Sequence, residues 1–185
     1  AQWDKLNFDG LDLYTPDAAT AKALLVKDGW TLNAAGEAYQ EGVDAVRYKK
    51  VKGGLMRLSI RFAQAQGNRG AEMIVAQLQA TLPQLGFELL VDVVPFPDLL
   101  ADYYRQNGQR LYDMNFMATN FLSAFDPYHT FGAEQSDVGT ANPSGLYDKK
   151  LAQLALKLHR VKPNDYLSYE KSWLSFQQRY NELLP

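Results

Sequence analysis

The pattern of apolar and polar residues predicts three strands, at residues 55–62, 87–94 and 112–118. In the first, Leu58 and Phe62 point one way while Arg57 and Arg61 point the other. This alternation is typical of a half-buried strand, because successive side chains leave a strand on opposite faces. The second segment alternates in the same way and is rich in the residues that favour strands.

Five helices are predicted from apolar spacing and end signals, at about residues 17–28, 68–86, 98–107, 148–161 and 165–183. The second has the clearest ends, since Asn68 can cap its first turn and Gly86 can take the left-handed conformation after its last. We expect its face with Ile74 and Leu78 to be apolar, and Pro83 to kink or fray its end. The apolar stripes of the last two helices predict core packing.

Strands and helices alternate with short connections between residues 55 and 118. Such an order is typical of βαβ units with right-handed crossovers, so the predicted fold class is α/β, with the first two strands in one sheet. Residues 30–54 are polar and rich in glycine, which predicts a turn or loose hairpin. Residues 119–145 form an irregular stretch that is too long for a simple connector and is typical of a functional loop.

Composition and net charge indicate one globular domain and argue against some classes of partner and chemistry. The 185 residues are 46% hydrophobic and 22% charged, which suits one compact domain with its own core. A formal net charge of -2 offers no broad attraction to a phosphate backbone, so nucleic acid is not an expected partner. Cysteine is absent, which excludes disulfides, thiolate metal ligands and a thiol nucleophile.

No apolar stretch reaches the roughly 18 residues that a membrane-spanning helix needs. The first five residues also lack the basic start and apolar run of a signal peptide. If the protein is exported, its targeting segment is expected outside these residues.

An ordered series of residues carries a resemblance to a known family. Its first part is Tyr14, Pro16, Asp17, Ala21, Lys22, Leu24, Leu25, Gly29 and Trp30. Its later part is Gln77, Leu78, Leu82, Gly86, Tyr112, Asp113, Asp126, Pro127, Asn142, Tyr147 and Asp148. In this order they resemble the second lobe of family 5 extracellular solute-binding proteins, the oligopeptide, dipeptide and nickel binders that serve ABC importers.

The resemblance implies a periplasmic-binding-protein type II-like lobe, with a mixed sheet of βαβ units and two C-terminal helices. In that family the lobe is inserted between segments of a first lobe, and the ligand lies in the cleft between the two. Residues 1–185 are therefore expected to form a single lobe of a larger two-lobed protein. Its first and last ordered residues should then approach one another.

The same resemblance implies the partners and the location. The partners are a peptide or other small polar solute, the first lobe of the same protein and an ABC transporter permease. The expected location is the extracellular face of the bacterial membrane, as a lipid-anchored lipoprotein, or the periplasm. The lobe alone is expected to be monomeric, with neither a cofactor nor a bound metal.

Polar and aromatic side chains mix in the segment that follows the third predicted strand. The candidate ligand-binding residues are Thr119, Asn120, Phe121, Ser123, Phe125, Asp126 and Tyr128. Ligands of open α/β sheets bind at such strand ends. Alternatively, the aromatic residues pack the loop down and Asp126 caps a turn before Pro127. Residues 64–68 are a similar but weaker candidate, because helix capping already accounts for Asn68.

The loop departs from the peptide-binding pattern at one position. In the peptide binders an acid near this point pairs with the peptide amino terminus. Alignment on Asp126 and Pro127 puts Ser123 at the position of that acid and Asn120 at the position of a tryptophan. A serine cannot supply the charge partner that a desolvated ammonium needs, so the ligand is expected to present a neutral or hydrogen-bonding group there.

Enzyme chemistry has no candidate residues in this sequence, so the protein is not expected to be an enzyme. His129 and His159 are the only imidazoles, and their spacing does not suggest a metal site, so a surface or packing role is expected for both. No serine lies in a nucleophile elbow and no carboxylate pair stands out. The alternative function is a freestanding extracellular glycan-binding or adhesion module, in which some of the 11 tyrosines and 3 tryptophans form stacking platforms.

Overall fold

The computed structural model describes residues 10–106, 108, 110–117, 126–132, 142 and 144–184. The chain divides into two compact units. The first, here called the sheet unit, comprises Thr15–Asp102 and Gln106–Ala118. The second, the helical unit, comprises Ala1–Tyr14, Tyr103–Arg105 and Thr119–Pro185.

A short helix and a hairpin open the sheet unit. Helix α1, Ala18–Lys27, is capped by Asp17, whose carboxylate accepts from the backbone of Ala19 and Thr20. Strands β1, Tyr48–Val51, and β2, Gly54–Arg57, pair antiparallel. The hairpin predicted within residues 30–54 is therefore present, but it lies at the end of that range and extends beyond it.

Three parallel strands form the sheet of this unit. Strand β3, Ser59–Ala65, lies between β4, Glu88–Val94, and β5, Met114–Asn115. In this register Phe62 is opposite both Val91 and Met114. The α/β class and the placement of the first two predicted strands in one sheet are confirmed. The parallel and antiparallel pairs belong to separate sheets.

The strand predicted at residues 55–62 is in fact two strands that pair with different partners. The break falls at Leu58, whose N–H donates to the carbonyl of Arg47 and whose carbonyl accepts from Glu88. Continuous alternation could not reveal this change of partner, because a strand keeps its two faces when its neighbour changes. The third predicted strand is also shorter than expected, since among its described residues, 112–117, only Met114–Asn115 pairs.

The helix predicted at residues 68–86 has the expected ends. Helix α2, Arg69–Thr81, is capped by Asn68, whose side-chain oxygen accepts from Ala71. A 3-10 turn, Leu82–Leu85, includes Pro83 and ends at Gly86, which is left-handed as expected. The buried face was predicted less well, because α2 buries Ala71 and Val75 while Ile74 is exposed.

Helix α3, Phe96–Tyr103, begins two residues earlier than predicted, with Pro97 in its first turn. Proline fits there because the first helical N–H groups have no acceptor within the helix. Leu99 of α3 is fully buried against the sheet with Ala63 and Ala65. Three half-buried residues pack on this core: Val94, Tyr112 and Met117.

A buried arginine just before β1 contacts the 3-10 turn that follows α2. The Arg47 residue is 6% exposed, and its guanidinium donates to the carbonyls of Leu85 (2.9 Å) and Trp30 (3.1 Å). It also lies 3.9 Å from the ring centre of Tyr39. A side chain at Gly86 would come within 2.7 Å of Arg47, so this glycine is needed for space as well as for its positive φ.

Three helices form the described part of the helical unit after residue 125: α4, Tyr128–Phe131; α5, Lys149–His159; and α6, Tyr166–Leu183. Their core consists of Leu151, Ala155 and Phe176, as the apolar stripes predicted. Asp148 caps α5 and Asp165 caps α6, so both helices begin one residue after the predicted start.

The two ends of the described chain meet within the helical unit. The backbone N–H of Asp12 donates to the side chain of Asn181 at 2.7 Å, and the Tyr14 hydroxyl donates to the Asn181 carbonyl at 3.0 Å. The expectation that the first and last ordered residues approach one another is confirmed. Among the described residues, no helix is both long and apolar enough to cross a membrane.

Candidate functional site

Two of the seven predicted ligand-binding residues, Asp126 and Tyr128, are described by the structure. The other five lie outside the described residues: Thr119, Asn120, Phe121, Ser123 and Phe125. Asp126 and Tyr128 directly follow that segment and stand at the start of α4. The structure therefore defines the end of the predicted ligand loop and the contacts that hold it.

Asp126 is held from two sides. One carboxylate oxygen accepts from the backbone N–H of Tyr128 at 3.0 Å, which closes a tight turn around the buried Pro127. The other oxygen lies 2.5 Å from Nδ1 of His159, at the end of α5. Asp126 thus caps a turn, as the packing alternative proposed, and also joins the loop end to α5.

The electrostatics decide which partner carries the proton. Burial opposes the charged carboxylate, but hydrogen bonds from His159 and the Tyr128 backbone, with the nearby imidazoles, hold the pKa of Asp126 below its usual value. An ionised carboxylate can only accept hydrogen bonds, so Nδ1 of His159 must be the donor. Burial and the charge of Asp126 together raise the pKa of Tyr169.

Aromatic packing fixes the same loop end. The Tyr128 ring stacks on His159, with ring centres 4.6 Å apart and planes inclined by 25°. A Cβ at Gly132 would lie 2.0 Å from the Tyr128 ring, so only glycine fits beneath it. Phe131 turns into the core, against Phe176 and Tyr180. The ring of Tyr128 therefore packs against the end of α5 through His159.

The two histidines lie closer together than their spacing suggested. His129 reaches 3.9 Å from the Asp126 carboxylate while its side chain stays 80% exposed, in agreement with a surface role. His159 stacks on Tyr128 and hydrogen-bonds to Asp126, so it has the packing role that was one of the two expectations. Their separation of 30 residues gave no signal of this proximity, since it arises only when α4 packs on α5.

Among the described residues, the cluster shows neither a set of metal ligands nor a nucleophile. Within the described ranges, no three histidine or carboxylate side chains are arranged to hold a metal ion. An Asp–His pair becomes a general base when a nucleophile contacts the second imidazole nitrogen. No hydroxyl of a described residue hydrogen-bonds to His159. The contacts that the structure describes hold Asp126 and Tyr128 against α5.

The second candidate segment, residues 64–68 at the carboxyl end of β3, contains one residue with a structural role. Asn68 caps α2, as the capping interpretation predicted. Gln66 is exposed, whereas Gln64 is buried and its Oε1 has no hydrogen-bond partner among the described residues. An unsatisfied buried amide is unusual. The contacts of the described residues therefore do not explain why the amide of Gln64 is buried.

Comparison with known proteins gives a match at the level of structure. No protein-family model matches the sequence, and no curated protein matches it. The oligopeptide-binding protein from Thermus thermophilus, in complex with a pentapeptide, covers 98% of this chain with a TM-score of 0.78 at 19% identity. The chain has the fold of one part of that binding protein.

Two other proteins share the fold. NikZ from Campylobacter jejuni, in complex with Ni(L-His), covers 96% of the chain with a TM-score of 0.67 at 16% identity. The periplasmic binding protein MelB from Agrobacterium fabrum, in complex with stachyose, covers 95% with a TM-score of 0.67 at 13% identity. The chain spans 30%, 32% and 26% of the lengths of the three proteins, respectively. The fold is thus shared by chains crystallised with different solutes.

Proposed function

We propose that the chain is the ligand-capturing lobe of a substrate-binding protein of family 5 that serves an ABC importer. The observation that carries the proposal is the match of 98% of this chain to 30% of an oligopeptide-binding protein. A continuous lobe whose ends meet, as Asp12 and Asn181 do, suits an insertion into a larger protein. The single lobe comprises both compact units.

The proposed ligand is a peptide or another small polar solute, bound in the cleft between this lobe and the first lobe of the same protein. The ligand-facing segment runs from Thr119 to Tyr128. The described end of this segment, Asp126 and Tyr128, is held by the hydrogen bond and the stacking of His159. Loops on a rigid scaffold commonly carry binding residues.

The protein acts by binding and not by catalysis. Proteins with this fold were crystallised with a peptide, a nickel–histidine complex and a sugar, which supports a binding role. The permease of an ABC transporter is the proposed partner of the intact protein. The proposed location is the extracellular membrane face, through a lipid anchor, or the periplasm.

The freestanding glycan module is less well supported. Its stacking platform would use the aromatic residues of α6, but Trp173 stacks on both Tyr169 and Phe176, and Phe176 is fully buried. These rings stabilise the helical unit. A sugar is retained as a candidate for the transported solute, because the stachyose complex has the same fold.

The proposal is tested on the intact protein by calorimetry with three sets of ligands: free peptides, peptides with blocked amino termini, and oligosaccharides. We expect saturable binding of a solute that is neutral where it meets Ser123. Replacing Ser123 with Asp should weaken that solute, whereas Ser123→Ala should cost only about 0.5 to 1.5 kcal/mol, the value of one hydrogen bond.

Two results would count against the proposal. If no small solute binds the intact protein, the importer function is wrong. If a solute binds but neither Ser123 substitution changes its affinity, the function stands and the assignment of the loop is wrong.

A further inference from the structure

A second concave surface lies in the helical unit, on α5, α6 and the loop that joins them. It is a groove of about 560 Å³ whose polar lining includes Lys157, Arg160, Lys162, Asp165, Ser168 and Ser172. Volumes of this size are typical of small-molecule sites. The groove contains neither residue of the Asp126–His159 pair.

The groove is positively charged. Lys157, Arg160 and Lys162 contribute three cations, and Asp165 is the one carboxylate of the lining. None of the three cations forms an ion pair with any described residue. The Asp165 carboxylate is engaged in capping α6, because it accepts from the backbone N–H of Ser168 at 3.2 Å. The cations are therefore available to an anion from solution.

The groove lining also includes a serine whose hydroxyl makes no hydrogen bond to a described residue. Ser172 is 3% exposed and lines the groove, yet its Oγ makes no hydrogen bond to a described residue. The hydroxyl of Ser175, on the same helix, instead donates a hydrogen bond to the carbonyl of Lys171, four residues earlier, at 2.9 Å. The Ser172 hydroxyl is therefore free to donate a hydrogen bond to a ligand acceptor in the groove.

We propose that this groove binds a phosphate-type oxyanion that carries an organic group. Arg160 and the two lysines supply the positive charge, and the Ser172 hydroxyl donates to a phosphate oxygen. Leu156 and Val161 line the same groove and would contact the organic group. The phosphate could belong to a free metabolite-sized ester or to a lipid head group. The site is separate from the proposed solute loop.

The test uses the chain labelled with 15N and two probes: glycerol 3-phosphate, and vesicles of phosphatidylcholine with or without phosphatidylglycerol. At physiological ionic strength we expect saturable shifts of the Ser168 and Ser172 amide signals. Replacing Lys157 and Arg160 together with glutamine should weaken binding at least about tenfold. Ser172→Ala should weaken it about two- to tenfold, as loss of one hydrogen bond does.

The matched control replaces Lys149 and Lys150, two exposed lysines in the first turn of α5, with glutamine. This change removes the same charge but lies outside the groove lining, so binding should change less than about twofold. Response to glycerol 3-phosphate identifies a free phosphate ester, and response only to vesicles with phosphatidylglycerol identifies a lipid head group. Equal loss in the control, or no response to either probe, would overturn the proposal.

Discussion

At the scale of single residues, the structure gives His159 a role that is more specific than surface packing. Its Nδ1 donates to Asp126 and its ring stacks on Tyr128, so one side chain holds both described residues of the predicted ligand segment. His129 is in the same cluster but is largely exposed and 3.9 Å from the carboxylate. The two imidazoles therefore offer a matched pair for mutation.

We predict that His159→Ala lowers the free energy of unfolding by about 1 to 3 kcal/mol, because it leaves Asp126 without its donor and removes the stacking. His129→Ala should change it by less than about 0.5 kcal/mol, as substitutions at exposed sites usually do. Urea denaturation of the three proteins measures both effects. Equal effects of the two substitutions would mean that the hydrogen bond to His159 does not hold the loop end.

Residue-level sequence reasoning reached part of this site. It identified Asp126 and Tyr128, and it allowed Asp126 to cap a turn, which the structure confirms. It did not predict the contact between Asp126 and His159, because the two residues are 33 positions apart and no pattern links them. The ligand-binding role of Asp126, Tyr128, Ser123 and the other residues of this segment remains a prediction.

At the scale of elements, capping residues set where the helices begin. Asp17, Asn68, Asp148 and Asp165 each accept from backbone N–H groups in the first turn of a helix. Asp148 does more, because both of its oxygens also accept from the guanidinium of Arg179 on α6, at 3.1 and 2.7 Å. One carboxylate thus starts α5 and ties it to α6.

This pair predicts a dependence of stability on pH. The hydrogen bond from Arg179, with that from the Leu151 backbone, lowers the pKa of Asp148 to about 2. Because the folded pKa is below the unfolded one, which is about 3.9, the contribution is fully present above about pH 4 to 5. It is lost as the pH falls through about 2. Asp148→Asn should therefore flatten the stability profile between these limits.

Denaturation of the chain at a series of pH values from about 2 to 7 measures this effect. Asp98→Asn is the control, since Asp98 is an exposed carboxylate in the first turn of α3. A profile for Asp148→Asn that runs parallel to that of the parent protein would show that the ion pair contributes nothing to acid stability.

Element types followed from the sequence more closely than element boundaries. Asn68, Gly86, Asp148 and Asp165 are local signals, and the helix ends that they mark were predicted to within a residue. The division of residues 55–62 at Leu58 was missed, because it depends on which distant strand pairs with each half. Arg47 was also missed, since its carbonyl partners are brought together only by folding.

At the scale of the whole molecule, the family resemblance and the structural match point in the same direction. The ordered series from Tyr14 to Asp148 implied a lobe of a binding protein, and the shared fold over 98% of the chain agrees with it. Neither identifies the solute, because the compared proteins were crystallised with different solutes and the chain spans only 26% to 32% of their lengths.

The central claim is that the solute is clamped between this lobe and another. The most direct measurement is calorimetry of this chain and of the intact protein with one ligand, namely the solute that co-purifies with the intact protein. Because hinge closure completes such a site, we expect this chain alone to bind at least about tenfold more weakly, a difference of about 1.4 kcal/mol or more. Equal affinities would place the whole pocket within these 185 residues and would contradict the account.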